Sequence, residues 1–257
     1  VIAQVNEQLP WTCGETKVHV TEIDAFVLSD RTPLTLTPSP LSEVERKLGE
    51  HVAEIVPDRA TIQIGIGSIS DGIILSLQGK KDLGIHTGTF SDSLLPLIEK
   101  GVVTNEYKAV NRGKVVSTSF AGTEKLYRYV HKNPLFEFYP VDYTHNVKTL
   151  SQIDLFYSIN SAIEVDLSGQ INAERAGSSV LAGVAGQMDF IHGAQASAGG
   201  RSIIALPSTA RNGAVSRIVP RVSHVTSLKS AVDYVVTEYG VARLSGKSLR
   251  ERAEQLI

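Results

Sequence analysis

Thr61-Ile62-Gln63-Ile64-Gly65-Ile66-Gly67-Ser68-Ile69-Ser70 runs from a short apolar stretch, through two closely spaced glycines, into a helical pattern that continues to Leu77. A strand that turns on glycine directly into a helix is the unit of parallel sheets, because a parallel neighbour is reached only by a crossover connection. The alternation recurs downstream: Leu83 to His86 is followed by Ser91 to Lys100, and Val115 to Phe120 by Thr123 to Lys132. Upstream, Ser42-Glu43-Val44-Glu45 has the form of a capping box, and Leu41, Val44, Leu48 and Ile55 recur at helical spacing as far as Pro57. Strand-like runs follow at Leu155 to Leu167, Ser202 to Leu206, Val215 to Val219 and Tyr234 to Thr237, and helical character returns from Ser248 to Ile257. The class is therefore α/β, an open and mostly parallel sheet with flanking helices.

Ahead of this domain, Val18 to Leu28 alternates loosely as a strand, and Arg31 to Pro40 carries three prolines that favour an extended connection. The boundaries fall at residues 1–30, a 31–41 linker and a main domain from 42 to 257. The chain opens at Val1 in mid-pattern and its last helix reaches Ile257 without a stop signal, so both ends read as cut.

With 257 residues, 42% hydrophobic and 20% charged, the chain can bury a large core, which excludes a disordered polypeptide. A net charge of -2 provides no bulk positive field for a polyanion, so no nucleic acid is expected as partner. No apolar run approaches the roughly 20 residues that span a bilayer, and Cys13 is the single cysteine, so the expectation is a cytoplasmic protein without a membrane partner. Its seven histidines are scattered, and no metal is expected.

The turn Gly65-Ile66-Gly67 lets a ligand approach backbone N–H groups at a helix N-terminus, where phosphate or pantetheine amides could be held; it reads equally as a plain tight turn. A dinucleotide fingerprint wants a third glycine where Ser70 stands and an acidic residue about 20 positions on, which leaves a Rossmann oxidoreductase only Gly65-x-Gly67 to rest on. Gly246-Lys247-Ser248 resembles the end of a P-loop, but position 241 is Val241, so a helix start at Ser248 is the better reading. No Gly-x-Ser-x-Gly and no His-Glu-x-x-His occurs to anchor a serine hydrolase or a zinc protease.

Asn160-Ser161-Ala162-Ile163-Glu164-Val165-Asp166-Leu167 places Glu164 on one strand face with Asn160, Ala162 and Asp166. Read alone, Glu164 is as well explained as the solvated side of a half-buried strand, with Asp166-Leu167-Ser168-Gly169 as the closing turn. Its neighbourhood favours function: Asp154 to Ile159 is nearly continuously apolar, as in a strand buried on both faces, and open α/β sheets hold ligands at the ends of such strands. Gly183-Val184-Ala185-Gly186, continuing to Phe190, reads as a flexible apolar loop past which a bulky thiol cofactor can run, or simply as a connection between strands.

These stretches together resemble the acetyl-CoA hydrolase and transferase family, which includes 4-hydroxybutyrate, butyrate and succinate:acetate CoA-transferases. The likeness extends from Ile2-Ala3-Gln4-Val5-Asn6 through Gly84-Ile85-His86-Thr87, Glu99 to Asn105, Asn160 to Asn172, Ile203 to Ala210 and Thr237 to Ala242, into Gly246 to Ala253. By resemblance Glu164 is the covalent nucleophile, the Gly240 N–H and the Asn212 side chain are the oxyanion donors, and Gly65 to Gly67 and Gly183 to Gly186 are the coenzyme contacts. The resemblance implies coenzyme A or acyl-CoA as substrate with a small carboxylate, no permanently bound cofactor, and leaves a homo-oligomer open. It also implies that residues 1–30 are the tail of a similar first domain. Three positions depart from the family's common pattern: Ala185 where a third glycine is usual, Ser70 where a proline is usual, and Gly88 where an acidic residue is common. The alternatives to a transferase are a hydrolase using the same glutamate, or a binding-only fragment.

Overall fold

The computed structural model describes residues 1–257. In chain order the strands and helices are β1 Ile2–Asn6, β2 Ala25–Ser29, α1 Glu43–Ile55, β3 Thr61–Ile64, α2 Ser68–Ser76, β4 Gly84–Phe90, α3 Leu95–Glu99, β5 Val115–Phe120, α4 Glu124–Val130, β6 Phe136–Phe138, α5 Val141–Thr144 and α6 Val147–Leu150. There follow β7 Phe156–Ser161, β8 Glu164–Asp166, β9 Ile171–Asn172, β10 Arg175–Ala176, β11 Ser179–Val180, α7 Gln187–Ala196, β12 Arg201–Ala205, β13 Thr209–Ala210, β14 Val215–Ser216, β15 Ile218–Val219, β16 Tyr234–Thr237, β17 Gly240–Arg243 and α8 Leu249–Leu256.

Eight strands form the central sheet in the order β17-β16-β12-β7-β3-β4-β5-β6, parallel except for the terminal β16–β17 hairpin. The α/β expectation and its βα units hold. The helix that opens the main domain carries the capping box read from sequence, Ser42 Oγ taking the Glu45 N–H while Glu45 takes the Ser42 N–H. β1 and β2 pair with each other, parallel, in a separate two-stranded sheet. Residues 13–15 then lie along the outer edge of β6: Phe138 N–H donates to Cys13 O and Glu15 N–H to Phe138 O, so that sheet edge is covered. No helix is long and apolar enough to cross a membrane.

Side-chain alternation divides the core. Tyr157 and Ile159 of β7, with Ile203 and Ala205 of β12, face α1 and α2 in a 27-residue cluster, while Phe156 and Ile204 face Ile191, Phe190 and Ala194 of α7. β7 is thus buried on both faces, as its apolar sequence implied. The two helices on the first face meet through glycine. A Cβ on Gly72 would stand 2.6 Å from Glu45 O, and one on Gly49 would stand 2.4 Å from Gly72 O. Backbone packs against backbone there, which fixes α2 and hence the Gly65–Gly67 turn at its start. Gly72→Ala gains helix propensity but forces the crossing apart, and overpacking of this kind costs about 1–3 kcal/mol. The expected outcome is a lowered thermal midpoint, measured by calorimetry; an unchanged or raised midpoint would show that the crossing yields.

Four readings of the sequence are corrected. The run Leu155 to Leu167 is not one strand: β7 ends at Ser161 and β8 begins at Glu164 in a different sheet, ordered β15-β8-β9, because Ile163 N–H leaves the main ladder to bond Asn172 O. Gln187 to Phe190 is not loop but the first turn of α7, so only 183–186 stay irregular. The Val215 to Val219 run breaks at Arg217, its first half pairing back on β13 and its second half on β8. Val18 to Leu28 is likewise shorter than read, a 3-10 turn at Val20–Glu22 and then β2.

Candidate active site

The C-terminal edge of the parallel sheet brings four connections side by side, since β3, β7, β12 and β16 are consecutive neighbours. Neighbouring strands lie about 4.7–4.9 Å apart, so these four ends span roughly 14 Å. The Gly65–Gly67 turn leaves β3, the chain to Glu164 leaves β7, the Ser208 to Arg217 segment leaves β12, and the Glu238-Tyr239 turn into Gly240 leaves β16. Gly183 to Gly186 leads into α7, which returns the chain to the start of β12.

Glu164 is half-buried and opens β8. The turn read at Asp166 to Gly169 is present: Gly169 has a positive φ of 93° and its N–H donates to Asp166 O. Burial pushes the Asp166 carboxyl up, but donors from Ser168, Gln170 and Val222 outweigh it and hold the group below the usual carboxylate range. That anchor fixes the hairpin register, which sets Asn172 directly opposite Glu164. Asn172 is fully buried, and its carboxamide uses its whole capacity. Its oxygen accepts the N–H groups of Glu174 and Arg175, while its nitrogen donates to Arg175 O at 2.7 Å and to Glu164 Oε2 at 3.1 Å. One carboxylate oxygen of Glu164 is held; the other is left without a protein donor.

On the other side of β8, Val165 N–H bonds Arg217 O, and Ile218 pairs with Val165. Val165 and Ile171 are buried in the apolar cluster beneath, with Ile218 packed against it, so Arg217, Glu164 and Asn172 share the opposite face as one cross-strand row.

Gly240 closes the two-residue β16–β17 turn at φ 153°, paired with Thr237 in the hairpin ladder, and a Cβ there would meet open space. The turn is tied to the β12 loop by Glu238, whose carboxylate accepts both the Ser208 N–H at 2.8 Å and its hydroxyl at 2.6 Å. Burial raises the Glu238 pKa, but the Ser208 donors prevail and lower it. Arg217 N–H in turn bonds Ser208 O, so Glu164, Arg217, Ser208 and Gly240 are linked through short connections. Asn212 lies at the exposed tip of the β13–β14 hairpin, in a run of positive φ from Arg211 to Gly213. A groove of about 680 Å³ is walled by Ser208, Thr209, Ser216, Ile218, Tyr239 and Gly240, among others, but neither Glu164 nor Asn212 contributes to it.

The two glycine loops line separate hollows. Ile66 and Gly67 border one of about 220 Å³ roofed by Leu36 to Ser39 of the proline-rich stretch and flanked by Asp71 and Asp92. Two carboxylates beside that turn disfavour a phosphate and suit neutral, amide-bearing groups. Ala185 and Gly186 border a second hollow of about 550 Å³ with His145 and Asp189. A Cβ on Gly186 would meet the His145 ring at 2.3 Å, so this glycine is required by packing. Gly183 has open space around it. Burial lowers the pKa of His145, whose ring centre lies 4.4 Å from that of Phe190 with the planes tilted by 44°.

Sequence reasoning missed Asn172 and Arg217. A signal for Asn172 existed, because a hairpin centred on the Asp166 to Gly169 turn sets residues 164 and 172 opposite each other. Arg217 depends on a parallel pairing between distant segments and left no local mark.

The model of the acetyl-CoA hydrolase/transferase C-terminal domain matches residues 122–257. The 4-hydroxybutyrate coenzyme A transferase of Clostridium kluyveri is 47% identical over 260 residues, covering 100% of this chain and 61% of the relative. A Geobacter metallireducens succinyl-CoA:cyclohexane-1-carboxylate CoA transferase is 42% identical, with 60% of its length covered. The crystal structure of 4-hydroxybutyrate CoA-transferase from Porphyromonas gingivalis superposes with a TM-score of 0.89 at 41% identity, over 99% of this chain and 61% of that one. An acetyl-CoA hydrolase of Candida glabrata is 31% identical over 76% of this chain. The chain spans about 60% of the length of the first of these relatives. By the family model and by identity over its whole length, the chain belongs to the acetyl-CoA hydrolase/transferase family.

Proposed function

We propose that this chain carries the catalytic half of a CoA-transferase that moves coenzyme A between a short-chain acyl-CoA and a free carboxylate, with Glu164 as nucleophile. The observation that carries the reading is the placement of Glu164: a half-buried carboxylate at the C-terminal edge of a parallel sheet, with one oxygen held by Asn172 and the other free of protein donors. A free Glu164 oxygen attacks the thioester carbonyl, the C–S bond breaks, and the thiolate of coenzyme A leaves a mixed anhydride on the glutamate. The thiolate then attacks the glutamyl carbonyl, the anhydride C–O bond breaks, and the acid departs as its carboxylate from a glutamyl-CoA thioester. A different carboxylate reverses both steps. No proton is gained or lost, so the site needs no general acid, and its polar donors are free to serve the tetrahedral oxyanions.

The Gly240 N–H and the Asn212 side chain are the donors we assign to those oxyanions; loss of one such donor costs about 10²- to 10³-fold in rate. The Gly65 to Gly67 turn and the Gly183 to Gly186 loop are assigned to the pantetheine arm, whose remote binding energy is expressed at the reacting carbonyl. Residues 1–30 are assigned to the tail of a similar first domain, and the protein to the cytoplasm. The identities among CoA-transferases named for short-chain acids support transfer over hydrolysis. Product analysis tests the choice: with acetyl-CoA and butyrate supplied together, a transferase forms butyryl-CoA, whereas release of free CoA at a rate independent of butyrate would show a hydrolase.

A further inference from the structure

The cross-strand row carries one cation. Arg217 stands one strand from Glu164 on the same sheet face, and its backbone is locked from both sides, N–H to Ser208 O and O to Val165 N–H, each at 2.8 Å. Of the five guanidinium donors only one, on Nη1, meets a protein acceptor, the Ala162 carbonyl at 3.4 Å. Nε is shielded from solvent and has no partner. No carboxylate lies within 4.0 Å of this side chain, while nine other ion pairs occur in the molecule. Nη2 meets no protein acceptor and is not shielded, so the guanidinium, set beside a carboxylate yet unpaired with it, keeps donors free for a second carboxylate.

We propose that Arg217 binds the carboxylate of the acid that leaves and of the acid that enters. The inference rests on Glu164 as nucleophile and explains where the negative charge goes. Before reaction the charge resides on Glu164; after the thioester forms Glu164 is neutral, and the same charge has appeared on a free carboxylate beside it. In the second half-reaction an incoming carboxylate must approach the glutamyl-CoA carbonyl through one of its own oxygens. A fork on the adjacent strand, whose position is fixed by backbone pairing, can hold the other oxygen and direct that approach. Asn172, on the opposite side of Glu164, has no spare donor and cannot do this.

The test separates binding of a carboxylate from mere support of Glu164. The protein is loaded with acyl-CoA to form the glutamyl-CoA thioester and then discharged either by acetate or by hydroxylamine, a neutral nucleophile that needs no cationic partner. For Arg217→Lys and Arg217→Met, we expect the acetate concentration for half-maximal discharge to rise roughly 10- to 100-fold, the loss expected for a charge-assisted pair, with lysine the milder change. Discharge by hydroxylamine and the half-saturating acyl-CoA concentration should stay within about 3-fold of the unsubstituted protein, a spread small beside the effect of losing a charged pair. Equal loss with both nucleophiles, or no change with either, would overturn the assignment. Failure of the unsubstituted protein to form any thioester on Glu164 is a separate result and would overturn the nucleophile reading beneath it.

Discussion

Glu164→Gln should lose at least ~10⁴-fold in transferase turnover, because removal of a covalent nucleophile leaves only the binding and oxyanion contributions. The amide has nearly the same shape, and Asn172 can still meet its oxygen, so the fold loses nothing substantial and the thermal midpoint should remain close to that of the parent. Glu164→Asp gives the finer comparison. It keeps the carboxylate but withdraws it by about one methylene, and a misplacement of about 1 Å costs on the order of 10²-fold. Steady-state kinetics with acetyl-CoA and butyrate, together with thermal unfolding, checks both. A Gln variant retaining turnover comparable to the Asp variant would mean that Glu164 acts by charge or position and not by bond formation.

Asn172 should produce the next largest effect, in two separable forms. Asn172→Ala removes the acceptor of two N–H groups and a donor to Arg175 O at a fully buried position. Orphaned buried groups cost about 1–3 kcal/mol each, and since these backbone groups are only partly buried the loss should be about 3 kcal/mol in all and appear in chemical denaturation. Asn172→Asp retains an acceptor for Glu174 and Arg175 N–H but replaces the donor to Glu164 with a second carboxylate at hydrogen-bond distance. Like charges that close cannot both stay ionised in place, so Glu164 is either protonated or displaced. The expected result is a fall in kcat of about 10²-fold with KM for acyl-CoA nearly unchanged, and a smaller loss of stability than in Asn172→Ala. A fall confined to stability would make Asn172 a purely structural residue.

The fold was legible wherever local chemistry and tertiary position agreed. The Thr61–Ile64 strand with its glycine turn, the Ser42 capping box, the helix start at Ser248, Val115–Phe120 and Tyr234–Thr237 stand where the sequence put them. What failed were segments whose partners lie far away in sequence. Leu155 to Leu167 looks continuous because Ala162 and Ile163 suit a strand, yet Ile163 bonds Asn172 and turns the chain out of the main sheet. The helix from Gln187 was hidden because it starts on glycine without a side-chain cap and carries no charge-paired face; its place is set by burying Phe190, Ile191 and Ala194 against β7 and β12. Phe136–Phe138 is three residues long and registers as a strand only beside β5.

For the site, the sequence pointed to Glu164 but could not show what surrounds it. Periodicity placed it with Asn160 and Ala162, whereas the neighbours that matter are Asn172 across a hairpin and Arg217 across a parallel pairing. Gly186 is a reverse case. It looked like room for a ligand, and the space its missing side chain leaves is taken by His145.

The most direct test of the central claim is the mass of the Glu164 peptide after brief incubation with acyl-CoA and proteolysis at mildly acidic pH, where thioesters survive. The glutamyl-CoA account predicts an added mass of coenzyme A less one water on the peptide containing Glu164, removed by a carboxylate acceptor and absent in Glu164→Gln. Turnover with no adduct on that peptide, or the same adduct on a different residue, would contradict it.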